Sequence, residues 1–433
     1  MRRWVIRSSW ARWLRIGMGV KRWLLLLGGG IVALCLATVL FQQVAGLGDW
    51  LAFVANSGRI PVPLAPLAVV FAVGGSVAVV VAIYRLNLSL LAAFRRRDQA
   101  GVVDVVYRHR ARQRGPKVVA IGGGHGLNTL LRGLKEYTDN ITAIVTVADD
   151  GGSSGRLRRE LGILPPGDFR NCIAALSDAE ELITELFQYR FQGNSHLDGH
   201  SFGNLYLSAM TALTGSFEAA LAESSRVLAV RGRVLPSTLA QVTLEAEVGI
   251  GAGGPAADRV EEWRRVRGES AIAAARGRIR RVALDPEDAP AYPEAIRTIF
   301  DADLIVAGPG SLYTSVLPNL LVRDLAGAIG AARGLKVYVC NVATQIGETQ
   351  GYDVHAHVRA LYDHVGPGLF RTVLANNTFI GPAPPGQGVE WVRPPEREPR
   401  DYRLILRDLV DRQQPWRHDP DKLAQALLGL LNA

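Results

Sequence analysis

The stretch VTVADDGGSSGRLRRELGILPPGDFRN, Val145 to Asn171, sets two carboxylates, Asp149 and Asp150, at the end of an apolar run. A turn of Gly151, Gly152, Ser153, Ser154 and Gly155 follows, and then Arg156, Arg158 and Arg159. Neighbouring carboxylates repel, so keeping both ionised calls for a cation beside them. The arginines are one source. A magnesium ion carried in with a phosphate is the other, and such an ion uses one or two carboxylates. Asp149 is therefore the candidate magnesium and ligand contact, and Asp150 is expected to fix the glycine-serine turn by accepting its amides. A helix after Gly155 spreads the arginines over different faces and leaves Arg156 as the one directed at the cleft. Two acids merely capping a solvated turn are the plainer alternative.

Further glycine turns join this one. Gly122-Gly123-Gly124-His125-Gly126 follows a β-branched run and opens a helix, which makes it a site for anions through backbone N–H groups. It is not a dinucleotide fingerprint, because Leu127 stands where the third small residue belongs, and no Gly-Lys-Ser/Thr makes it a Walker loop. Gly308-Pro309-Gly310-Ser311 follows another buried run. In LPPGDFRN, Asp168 either caps a helix from Phe169 or enters the site. In DGHSFGN, Ser201 and Asn204 add polar groups ahead of a further helix.

Other candidates are weaker. His196 and His200 enclose Gly199 in a loop-like context, which disfavours a helical zinc pair. His355-x-His357 is expected to decorate a surface. Cys35, Cys172 and Cys340 have neither disulfide nor zinc spacing, and the last two read as small core residues. No Ser/His/acid triad follows from spacing.

Strands and helices must position these turns. Lys117 to Ile121 and Ile141 to Val147 read as buried strands, with Leu127, Leu130, Leu131 and Leu134 on one helix face between them. LIVAG (from Leu304), KVYVC (from Lys336) and RTVLANN (from Arg371) alternate with helical segments further on. The expected fold is α/β: a Rossmann-like, doubly wound, mainly parallel sheet, with ligand at the carboxyl ends of the strands.

Two uncharged runs precede this domain, 23 residues from Trp23 to Ala45 and 21 from Leu64 to Tyr84. Each is long enough to cross a hydrocarbon core of roughly 30 Å as a helix. The expected organisation is a basic cytoplasmic segment (1–22), a first transmembrane helix (23–45), an extracytoplasmic loop (46–63), a second helix (64–84), a basic cytoplasmic linker (85–115) and the globular domain (116–433). Seven cations precede the first span, Arg85 and Arg95 to Arg97 follow the second, and the loop holds only Arg59 and Asp49. The positive-inside rule then places both termini and the main domain in the cytoplasm of a multi-pass inner-membrane protein. Trp4, Trp10, Trp13 and Trp23 suit an interfacial belt. Residues 1–117 hold 17 Lys and Arg against 3 Asp and Glu, and the remainder 32 against 37. The basic surplus thus belongs to the membrane end, which speaks against nucleic acid as a partner of the globular domain.

From Lys117 to about Asn377 the chain resembles the YvcK-type gluconeogenesis factors of the CofD-like superfamily. GGGHGLNTLLRGLK, TVADDGGSSGRLRRELGILPPGDFRN, LFQYRF, GHSFGNL, VLPST, GPGSLYTSVLPNLLV and CNVATQIGETQGY carry the resemblance. It departs at His125, where threonine is usual, and at Ile346, where proline is usual. The resemblance implies binding of a nucleotide sugar, notably UDP-N-acetylglucosamine, in cell-envelope and cell-shape homeostasis during gluconeogenic growth. It also extends the ligand set to Asn171, Leu312, Tyr313 and Asn341, and implies homo-oligomers and envelope-synthesis or kinase partners. Related CofD enzymes transfer a 2-phospholactyl group with magnesium, so a magnesium-dependent phosphotransferase is the alternative. A nicotinamide oxidoreductase is disfavoured by the missing third glycine and by the arginines beside the acids.

Overall fold

A computed structural model describes residues 21–45, 64–92, 110–178, 180–193, 196–250, 262–380 and 388–432. It divides into two compact units, Met1–Arg108 and His109–Ala433. The expected interfacial tryptophans Trp4, Trp10 and Trp13, the loop 46–63 and the arginines 95–97 lie outside the described residues.

In the first unit, α1 (Lys21–Ala45) and α2 (Leu64–Ala92) pack on each other. The spans Arg22–Gln42 and Pro66–Asn87 have mean hydropathies of 2.6 and 2.5. The helices cross where glycines meet: a Cβ on Gly75 would stand 2.9 Å from the Gly30 carbonyl oxygen. Leu25, Val70 and Val80 point outward, as lipid-facing residues would. The second helix runs past Tyr84 through Arg85 to Ala92.

The second unit opens with β1 (Val118–Gly122), α3 (Gly124–Leu134) and β2 (Ile141–Val145). Four helices follow: α4 (Gly152–Leu161), α5 (Gly167–Leu176), α6 (Glu180–Gln188) and α7 (Phe202–Thr214). Then come α8 (Phe217–Val227) and β3 (Arg233–Pro236). An inserted antiparallel sheet consists of β4 (Thr243–Ile250), β5 (Glu262–Arg267) and β6 (Arg278–Asp285), with α9 (Glu269–Ala275) between the last two. The chain re-enters the main sheet through α10 (Pro293–Phe300), β7 (Leu304–Ala307), α11 (Leu317–Leu320), α12 (Arg323–Ala331) and β8 (Leu335–Val339). It ends with α13 (Val354–Val365), β9 (Thr372–Asn376), β10 (Arg403–Arg407) and α14 (Pro420–Gly429).

The main sheet is parallel throughout, in the order β10-β9-β8-β7-β1-β2-β3. Its central strands are buried on both faces, so they read as continuous apolar runs rather than alternating ones. Leu127, Leu130, Leu131 and Leu134 of α3 are buried against it, as their spacing predicts. From β1 the chain first winds toward β2 and β3, then returns to wind outward from β7. The switch point therefore lies between β1 and β7, whose register pairs Val118 with Leu304 and Ile121 with Ala307. The crevice at such a reversal, beyond the carboxyl ends of the strands, is where open α/β sheets take ligands.

Candidate functional site

The turns after β1 and β7 meet across this switch point. A Cβ on Gly126 would overlap the Pro309 carbonyl and stand 2.8 Å from the Gly310 nitrogen, so only hydrogen fits there. Asn341, just past β8, locks the second turn: its Nδ2 donates to the Gly310 carbonyl at 2.8 Å and its Oδ1 accepts the Gly310 N–H at 3.0 Å. Gln345 Nε2 donates to Ser311 Oγ at 2.7 Å. Asn319 Nδ2 reaches the Gly122 carbonyl at 3.0 Å, holding the end of β1 from behind. The crevice is a cavity of about 510 Å³.

Gly123, Gly124, His125, Gly126, Asp149, Asp168, Gly310 and Ser311, singled out from the turns, line the cavity, and so does Asn341, which the resemblance added. The carboxylates depart from the expected division, in which Asp150 fixes the glycine-serine turn. Asp168 lies in the first turn of α5, which starts at Gly167 rather than Phe169, and it caps a different helix. Its Oδ2 accepts the Gly124 N–H at 2.9 Å, at the start of α3. Asp149 Oδ1 accepts the Gly151 N–H at 2.9 Å, so Asp149 fixes the turn. Asp150 instead accepts the Ser270 N–H at 2.9 Å and ties the inserted α9 to the main sheet.

The arginines also differ from expectation. The helix begins at Gly152, before Gly155, and this rotates Arg156 away from the cavity, where its Nη2 donates to the Asp198 carbonyl at 2.8 Å. Arg158 turns inward and donates to the carbonyls of Val147, Asp149 and Val242. Arg159 is exposed.

Gly122, Gly152, Gly308, Leu312 and Tyr313 do not line the cavity, and Leu312 and Tyr313 are buried in the π-helical turn Leu312–Val316. Ser153, Ser154, Ser201 and Asn204 form a buried polar layer off the cavity wall, with the half-buried Asn171 beside it. Asn204 Nδ2 donates to both serine hydroxyls, at 3.1 and 3.3 Å, and Ser153 Oγ lies 3.0 Å from His200 Nδ1. Arg170, buried in α5, donates to Ser201 Oγ at 2.6 Å and to Asn171 Oδ1 at 2.9 Å. His357 is buried rather than a surface residue, its Nδ1 2.8 Å from the Asp353 carbonyl. Cys172 and Cys340 are buried, as expected.

Sequence reasoning missed Thr129, Glu269, Ser315, Trp416, Arg417 and His418, all on the cavity wall. Thr129 and Ser315 follow recognised turns at helical spacing and were legible in principle. Glu269 arrives from the inserted sheet, and Trp416 to His418 precede α14. Asp419 caps that helix by accepting the Lys422 N–H at 3.0 Å, and α14 packs on α3, which sets Arg417 near His125.

Charge is unevenly placed in the cavity. Burial, and then the negative Asp149, push Asp168 up to about 6. Burial pushes Glu269 up to about 9, with Asp149, Asp168, Glu348 and Asp150 adding to the rise. Asp149 is itself raised by burial, against the opposing hydrogen bonds of Gly151 and Ser154. Burial lowers Arg170 despite its neighbouring acids. His418 is held down to about 4 by burial. A carboxyl whose folded value exceeds its unfolded one stabilises fully only below the unfolded value, and that stability is lost as pH rises toward the folded one. Glu269→Gln should therefore be more stable than the parent protein at pH 8–9, by more than about 1 kcal/mol, with no difference below about pH 4.5. Urea unfolding at the two pH values measures this, and parallel pH profiles would show that Glu269 is not strained by its neighbours.

Three raised acids facing one cavity are relieved by a divalent cation. Among the described residues, however, no set of three acid, His or Cys side chains is arranged to hold a metal. A magnesium ion held here would have to bring its own phosphate oxygens and lean on Asp149 rather than sit in a protein cage.

The sequence profile described as 2-phospho-L-lactate transferase CofD matches residues 118–386. A putative gluconeogenesis factor of Nostoc sp. is 45% identical over 97% of this chain and 92% of its own length. The Bacillus subtilis gluconeogenesis factor is 48% identical over 73% of this chain and 98% of its own. A crystal structure of a UPF0052-family member from Bacillus halodurans superposes with a TM-score of 0.65 at 43% identity, over 73% of this chain and 99% of that one. With the switch-point cavity, the glycine turns and these relatives in agreement, the chain belongs to the CofD family and, within it, to the YvcK-type gluconeogenesis factors.

Proposed function

We propose that the switch-point cavity binds the diphosphate of a nucleotide sugar, with UDP-N-acetylglucosamine as the expected ligand. The protein then acts as a membrane-tethered cytoplasmic regulator of envelope growth and cell shape during gluconeogenic growth. The observation that carries this reading is the contact of two glycine turns at the reversal of the sheet. It leaves the first-turn amides of α3 at the cavity, where a helix N-terminus favours an anion. The volume of about 510 Å³ lies within the range of small-ligand sites. Arg417 supplies the cation at the rim that Arg156 does not.

Magnesium, when bound, would neutralise a diphosphate and be held through Asp149. The protein's own residues do the rest. Asn341 and Gln345 fix the second turn, Asp168 fixes the first, and Arg170 offsets the acids from below.

A second reading, a phosphotransferase of the 2-phospho-L-lactate transferase type, is favoured by the name of the matching family profile. Incubation with a nucleotide-activated phospholactyl donor and a deazaflavin acceptor separates the two. The sensor reading expects saturable UDP-N-acetylglucosamine binding without turnover, and turnover would overturn it.

The two apolar helices are the proposed tether, with both termini cytoplasmic. Reporter fusions at Ser57 and Asp98 should report opposite compartments, with Asp98 inside. An extracytoplasmic signal at Asp98 would refute this topology.

A further inference from the structure

We propose that His125 is a phosphate-contacting residue of this cavity whose imidazole takes up a proton as a diphosphate enters, so that binding tightens on acidification. The inference rests on the reading of the cavity as a diphosphate site.

His125 is the second residue of α3, between Gly124 and Gly126, and its side chain lines the cavity. At this position its own N–H has no partner within the helix, so amide and imidazole stand at the same helix end. The Gly124 N–H is already taken by Asp168, which leaves the His125–Gly126 side of the turn for an incoming anion. The groups around the imidazole come from three elements: Arg132 further along α3, Arg170 from α5, and Arg417 from the segment before α14. Across the cavity stand Asp149, Asp168 and Glu269.

Burial comes first, and then Arg417, Arg132 and Arg170, in holding the imidazole below its usual value, so the free protein carries it neutral near pH 7. A diphosphate at the α3 N-terminus places opposite charge beside the ring and reverses that preference. The bound form then holds a proton that the free form lacks. Affinity rises as pH falls through the bound-state value and levels off below the free-state value. A change of about one pKa unit corresponds to about tenfold in affinity. Asp168, pushed up to about 6, titrates in the same window, Asp149 is raised by burial as well, and both also gain protons beside an anion. The informative quantity is therefore the difference between the parent protein and a variant, in buffer without divalent ions.

Full-length protein in lipid nanodiscs is titrated calorimetrically with inorganic pyrophosphate and with UDP-N-acetylglucosamine at pH 5.5, 7.0 and 8.5. Two buffers of different ionisation heat report proton uptake. The parent-to-His125→Gln affinity ratio should grow by about tenfold from pH 8.5 to 5.5. Proton uptake near pH 7 should be larger in the parent protein than in the Gln variant. His125→Lys, charged throughout, should bind with the smaller proton uptake of the Gln form. Equal pH slopes in the parent and His125→Gln overturn the proposal. Failure of the parent protein to bind either probe at any pH overturns it together with the diphosphate reading.

Discussion

Gly126→Val is expected to weaken UDP-N-acetylglucosamine binding by more than a hundredfold. A Cβ at this position would overlap the Pro309 carbonyl and stand 2.8 Å from the Gly310 nitrogen. Both are backbone atoms of a turn already held by Asn341, so no flexible side chain can give way. The turns must separate, and the cavity between β1 and β7 loses its shape. Overpacking of this kind costs about 1–3 kcal/mol of stability. Circular dichroism should show a folded variant with a lowered melting temperature. Gly429→Ala is the control: Gly429 lies exposed in α14 with nothing within 4 Å of an added Cβ. It should bind normally and gain up to about 1 kcal/mol, because alanine is the better helix former. Parent-like affinity in Gly126→Val would put the ligand in another crevice.

Asp149→Asn should cut magnesium-dependent binding at least tenfold while leaving the fold intact. Asparagine keeps an oxygen for the Gly151 N–H, so the turn survives. What disappears is the charge that Asp168 and Glu269 feel most strongly after burial, and both should titrate closer to the ordinary carboxylate range. Because Asp149 is itself raised, its ionised form lowers stability as pH rises, and removing it should leave the variant no less stable at pH 8. Titrations with and without magnesium decide the matter. Identical magnesium dependence in both proteins would reduce Asp149 to a turn residue. Retained binding with lost phosphotransfer would give the site to the transferase reading.

Much of this was legible in the residues because the signals are local. Apolar, β-branched runs marked β1, β2 and β7, since strands buried on both faces are continuously apolar, and shorter buried runs marked β8 and β9. Glycine turns at their carboxyl ends marked the cavity. The inserted sheet was missed because β5, EWRRVR, is exposed along nearly its whole length and offers no apolar run. Glu269 went with it, since a residue brought in by an insertion has no spacing relation to the turns it faces. Arg417 sits more than 240 residues after Arg170 and reaches the cavity only through the packing of α14 on α3. The turn-fixing role passed from Asp150 to Asp149 because Asp150 is engaged by Ser270 of the inserted α9, which no local signal announces. The earlier start of α4, at Gly152 rather than after Gly155, decides that Arg158 and not Arg156 turns inward, onto backbone carbonyls.

The most direct measurement is calorimetric titration of the full-length protein in nanodiscs with UDP-N-acetylglucosamine and magnesium, with GTP and NAD as comparison ligands. The account predicts saturable one-site binding of UDP-N-acetylglucosamine that is lost in Gly126→Val, with GTP and NAD binding at least tenfold more weakly. No heat with the UDP-sugar, or equal affinity for all three ligands, would contradict it.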